Sequence, residues 1–134
     1  MVQVTVTAAL KVAGGPTLQL STTLEPRSYT FAAVTLGAVG TGDAQQSVDL
    51  LPDGGTVVLL GIAARTSGGK AATVTLTPVN GATDGDPFDV DGALLVGTPG
   101  VLAVMVAGGP RSLTLANKAA ESVAVEILTG LEPT

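Results

Sequence analysis

The side chains best placed to do chemistry are four carboxylates, Asp84, Asp86, Asp89 and Asp91, crowded into the stretch DGDPFDVDG at residues 84–92. Hard cations such as calcium want several oxygen ligands converging from one loop, and this cluster offers them in a short span. The spacing is not that of an EF-hand. Counted from Asp84, Phe88 falls on the fifth, ligating position, Asp89 on the sixth, which needs Gly, and Leu95 on the twelfth, which needs Glu. The competing reading is a solvated loop, since Asn80-Gly81 and Asp84-Gly85 are turn dipeptides and Pro87 introduces a strand. The expectation is a loop without an obligatory metal, with these four aspartates as the ligands if calcium binds. No cofactor is expected.

Other chemistries fail on composition. With no His and no Cys, the chain lacks imidazole bases, thiol nucleophiles, disulfides and the usual zinc, haem or iron–sulfur ligands. Paired carboxylates permit acid–base hydrolysis, but such sites stack their sugars on aromatic walls. Tyr29, Phe31 and Phe88 are the whole aromatic supply. The same scarcity argues against a carbohydrate-binding or single-strand nucleic-acid platform. Six Lys and Arg on a chain of net charge -5 leave no nucleic-acid footprint. The Gly-rich turn Gly37–Gly42 is followed by no Gly-Lys-Ser/Thr, and no Ser sits in a G-x-S-x-G elbow. The protein is expected not to be an enzyme.

The elements that must position any site are strands. Val2, Val4, Val6, Ala8, Leu10 and Val12 hold every even position, with Gln3, Thr5, Thr7, Ala9 and Lys11 between them. A period of two is a strand with one buried face. Gly14-Gly15-Pro16 ends it, and Leu18, Leu20 and Leu24 resume the alternation, as a hairpin or a corner between sheets. Further strands are predicted at 29–36, 47–51, 56–64, 72–79, 88–96, 101–107, 112–116 and 122–129. Turn clusters separate them at Gly40–Asp43, Pro52–Gly55, Ser67–Lys70 and Asn80–Pro87. The pattern predicts an all-β, antiparallel β-sandwich of about eight to ten strands, jelly-roll or immunoglobulin-like, as a single domain over residues 1–134. Val12-Ala-Gly-Gly-Pro16 recurs as Val106-Ala-Gly-Gly-Pro110, read as the same turn chemistry used twice.

No membrane role is expected. The start of the chain reads as a strand rather than a signal peptide. The charge-free stretch Gly92–Pro110 is broken by Thr98-Pro99-Gly100, so two buried strands joined by a turn explain it better than a spanning helix.

Two segments lack alternation: Val57 to Ile62, and Val101 to Val106. Only one face of a sheet packs on a sandwich core, so the other face needs a loop or another chain as cover. The edges carry little of the Lys and Pro that blunts free strands. These features predict a protein–protein interface, with Val58, Leu60, Ile62, Leu102, Val104 and Val106 as its candidates, and a homo-oligomer, a trimer ahead of a dimer.

The opening VQVTVTAAL, the small-residue sandwich pattern and the closing stretch Leu113–Ile127, with its strand–Asn117 turn–strand hairpin, resemble small β-sandwich virion proteins of tailed bacteriophages. That resemblance implies a capsid decoration protein that stabilises the head shell by binding the major capsid protein or another shell protein. It places the chain on the capsid surface after synthesis in the host cytoplasm. It carries over no functional residue. The alternative is an immunoglobulin-like adhesion or tail-associated binding module working through its loops.

Overall fold

The computed structural model describes residues 2–51 and 55–132. The N-terminal alternation builds β1 (Val4–Lys11) and β2 (Thr17–Leu24), paired antiparallel from Val4↔Leu24 to Lys11↔Thr17. Between them Gly14 takes φ 71° and Gly15 N donates to Val12 O at 2.8 Å. A positive φ is open to Gly because it has no Cβ. The second copy of this pentapeptide makes the same contact, Gly109 N to Val106 O at 2.9 Å. There, however, it follows a helix.

The remaining strands are β3 (Ser28–Leu36), β4 (Gln45–Asp49), β5 (Thr56–Thr66), β6 (Thr73–Asn80), β7 (Thr83–Asp84), β8 (Phe88–Asp91), β9 (Ala93–Val96), β10 (Ser112–Ala116) and β11 (Val123–Glu132), with one helix, α1 (Pro99–Met105). One sheet runs β3-β11-β5-β9; the other runs β4-β10-β6-β7, with β8 beside β6. Leaving aside β1, β2 and the two-residue β7, eight strands form the sandwich. Among these the first pairs with the last (β3–β11), the second with the seventh (β4–β10), the third with the sixth (β5–β9) and the fourth with the fifth (β6–β8). A long hairpin rolled on itself has that pairing, and it is the jelly roll rather than the immunoglobulin-like order.

The core lies between the sheets. Leu60, Ile62, Val125 and Ile127 face Leu76, Val74, Leu113 and Leu115, all nearly inaccessible to solvent. Burying such side chains contributes about 1.5–3 kcal/mol each.

Two expectations need correction. Residues 101–107 are not a strand: α1 occupies this region, starting after Thr98 with Pro at its first turn. Proline suits that position because its missing N–H would have no intrahelical partner and its φ is preset. The buried residues Leu102 and Val106 and the half-buried Met105 are spaced by three and four, the helical period. Residues 88–96 are not one strand: Gly92, at φ 83°, separates β8 from β9 and passes the chain between sheets. The described residues hold eleven strands, and the eight that form the sandwich lie within the expected eight to ten. The turn expected at 52–55 lies, except for Gly55, outside the described residues.

Candidate functional site

The four aspartates do not form a loop site. Asp89 and Asp91 stand on β8 opposite Thr75 and Thr73 of β6. Thr75 Oγ1 donates to Asp89 Oδ1 at 2.9 Å and Thr73 Oγ1 to Asp91 Oδ1 at 2.7 Å. Asp84 ends β7, and Asp86 lies in the link to β8. Strand pairing spreads these carboxylates along an edge, and among the described residues no three acidic groups converge to hold a metal.

The interface candidates divide. Leu60, Ile62, Leu102 and Val106 are buried within the chain and so offer no surface to a partner. The apolar runs that suggested an interface at these four positions have internal causes: β5 lies in the middle of a sandwich sheet, α1 turns Leu102 into the fold, and Val106, the extended residue after the helix, is buried as well. Val58 is half-buried, and Val104 projects from α1 at 81% exposure.

The surface that does carry apolar character lies elsewhere. The outward positions of the β4-β10-β6-β8 sheet are mostly Ser, Thr and Asp, with Gln45, Ala116 and Val79 toward its ends; besides the two Thr–Asp pairs, Ser47 Oγ and Thr114 Oγ1 lie 3.4 Å apart. The other sheet is different. Registers Leu128↔Phe31, Leu128↔Gly61, Glu126↔Ala33, Glu126↔Ala63 and Gly61↔Leu95 place an almost entirely apolar set on its outer face. Tyr29, Phe31 and Leu95 there are 51–58% exposed. Glu126 and Arg65 are the charged residues of this face.

The β1–β2 hairpin leans over part of that face. Val4 and Val6 approach Leu59, Gly61, Leu95 and Leu128, and Leu59 is buried beneath them although it faces away from the core. A cleft of about 370 Å³ remains between hairpin and sheet, with Val6, Ala8, Leu20 and Leu24 on one wall and Leu95 on the other. A neighbouring groove of about 260 Å³ runs past Phe31, Leu94, Glu126 and Leu128. The non-alternating apolar run in β5 thus has its cover, at Leu59 and Gly61, from within the chain.

The hairpin itself is amphipathic. Its cross-strand pairs Val4↔Leu24, Ala8↔Leu20 and Leu10↔Leu18 share one face, while Thr5↔Thr23, Thr7↔Ser21 and Lys11↔Thr17 share the other. The apolar face was expected to be buried. Only its base is half-buried, and Leu10, Val12, Leu18 and Leu20 stand 48–62% exposed. Alternation reports which residues share a face but not what lies against it, which is why the sequence did not single out the arm. Phe31 and Tyr29 carried a weak signal: they are among the few rings in the chain, on a strand flanked by Leu and Val. Among the described residues no helix is long and apolar enough to cross a membrane.

In comparisons with known proteins, no family model and no curated protein matches the chain. The class defined here is that of its fold, an antiparallel jelly-roll sandwich with an appended hairpin.

Proposed function

We propose that the chain is a non-enzymatic structural protein of a tailed-phage virion, a decoration protein that binds the major capsid protein or another shell protein on the head surface. The observation that carries the reading is the asymmetry of the sandwich: one outer face is a Ser/Thr/Asp ladder, and the other presents Tyr29, Phe31 and Leu95 to solvent. A contiguous apolar face rimmed by polar residues marks a contact with another protein. Jelly rolls recur in viral capsid domains, which supports the reading by fold analogy. The copies associate with one another, as a ring of three ahead of a ring of two. Assembly and stabilisation of a shell need buried area and no reacting group, in keeping with a chain that has no His and no Cys.

Antibody raised against the chain, applied to purified particles from cells that produce it, tests the proposal. Gold label over the outer surface of heads is the expected result. Label confined to tails, or all of the chain recovered free of particles, overturns decoration.

A further inference from the structure

We infer that the β1–β2 hairpin is an exchange arm: the exposed half of its apolar face docks on the outer face of the β3-β11-β5-β9 sheet of a second copy of this chain. The inference rests on the self-association in the reading above and names the surfaces that would make it.

An isolated two-stranded hairpin is marginally stable in water and needs a third layer to hold it. Here the support ends early. Val4 and Val6 line a cavity against the body, and Leu20 stands half-exposed on the wall of the cleft facing Leu95, whereas Leu10, Val12 and Leu18 reach past the body with their apolar side exposed. No Pro lies inside either strand, and Lys11, on the polar face beside the turn, is the only charged side chain between residues 2 and 24. Natural proteins blunt a solvent-facing edge with charge or Pro, so an arm whose strands hold no Pro and a single charge, at the tip, is built to be covered.

The receiving surface lies on the same chain. Phe31, Tyr29 and Leu95 remain half-exposed, next to a groove over Leu128 whose acid is Glu126. Charge does not oppose the contact: Lys11, the arm's one charge, lies on its polar face away from the docked side, and Glu126 and Arg65 offset each other on the receiving face. Size also fits. Half-exposed side chains of this kind present on the order of 100 Å² each. One arm-to-face contact then buries about 400 Å² of the arm and about 300 Å² of the face, and two copies that exchange both arms across one interface bury about 700 Å² each, close to the roughly 800 Å² per partner of a standard interface.

The occupant is a second copy because the two exposed patches are different surfaces of one chain. A foreign partner with one binding surface covers either the arm or the face. An arm-to-face contact that closes covers both in every copy, as a reciprocal, isologous exchange between two copies or as a heterologous contact around a ring of three.

The test uses the full chain and light scattering behind a sizing column, with thermal melting to show that each variant is folded. The wild type is expected as a closed oligomer. The arm variant Leu18→Asp/Leu20→Asp and the face variant Phe31→Asp should each be folded monomers, with association weakened about thirtyfold or more. Mixed together, these two variants should form a heterodimer, because the intact arm of one meets the intact face of the other. An oligomer whose mass is unchanged by both variants overturns the arm while leaving self-association standing. A wild type that stays monomeric at high concentration overturns self-association itself, and the arm with it.

Discussion

Asn117 Nδ2 donates to the carbonyl oxygen of Gly37 at 3.0 Å, tying the turn between β10 and β11 to the corner between β3 and β4 across 80 residues of chain. The same Nδ2 donates to Glu121 O at 2.8 Å, and Oδ1 accepts from Ala119 N at 3.0 Å. The side chain is 2% exposed, so its bonds are made without competing water. It stands where the chain passes from one sheet to the other and the strand ladder cannot satisfy the backbone.

Replacing it should therefore unfasten two loops together. Asn117→Ala is expected to lower stability by about 2–3 kcal/mol, since it strands backbone groups that a buried amide now satisfies. Asn117→Asp should cost at least as much, because its second oxygen would face two carbonyls where a donor is required. Urea unfolding monitored by circular dichroism checks both, and a loss below about 0.5 kcal/mol in either would show that water replaces the amide freely.

Much of the sandwich was legible in the sequence because period-two runs translate directly into sheet faces. Val123, Val125 and Ile127 alternate with exposed Ala124 and Glu126, and that face is the core face. The helix was illegible because Val101, Val104 and Val106 are β-branched and no charge marks an outer side. The Thr98-Pro99 start and the Leu102–Val106 spacing were its only signs. The expectation of one loop over the aspartates differs from the structure for another reason: Asp89 and Asp91 stand two residues apart on one face of β8, about 6–7 Å along the strand, each beside its own partner, Thr75 and Thr73.

Thr129 carries a removable cost. Among the described residues its Oγ1 is the buried side-chain oxygen without a hydrogen-bond partner, on a residue with no solvent exposure. The position lies on β11 opposite Leu60 and Thr30. Thr129→Val keeps the branched shape and removes the unsatisfied hydroxyl, so it should stabilise the fold by about 1 kcal/mol. A melting temperature that falls would indicate an ordered water or an unrecognised acceptor at Oγ1.

Gly92 holds the crossing between the sheets. Its N donates to Ala72 O and its O accepts from Ala64 N, both at 2.8 Å, at φ 83°. A Cβ placed there would lie 2.8 Å from the Cβ of Ala71. Gly92→Ala combines left-handed strain with that overlap and should cost about 2–3 kcal/mol. Gly69, also at positive φ but with open space around it, isolates the backbone part: Gly69→Ala should cost about 1–2 kcal/mol. Equal losses at both sites would mean that Ala71 moves aside without penalty.

Calcium should leave the fold indifferent. Asp89 and Asp91 already accept Thr hydroxyls, and their carboxylates lie along a strand with no ring of oxygens around them. Binding to the native state would have to raise the melting temperature. The expectation is a change of no more than about 1 °C between chelator and millimolar calcium, where a site of about 10 µM affinity would add about 2.7 kcal/mol at a hundredfold excess. A rise of several degrees would place a cation site on this edge.

Leu102 and Val104 sit two residues apart in α1 with opposite fates, and the pair separates packing from surface. Leu102 is 1% exposed and joins the core cluster, whereas Val104 is 81% exposed on the outward side of the helix. Truncating Leu102 to Ala leaves a cavity that the sandwich closes only partly, at a cost of about 2–5 kcal/mol. Val104→Ala removes no packing and places a better helix former in a seven-residue helix, so stability should stay within about 0.5 kcal/mol of the wild type. If α1 lies outside every subunit contact, Val104→Asp should also leave the oligomeric mass unchanged, in contrast to substitutions on the arm and the apolar sheet face. An oligomer lost with Val104→Asp while the melting temperature holds would move the contact to the helix and away from Phe31.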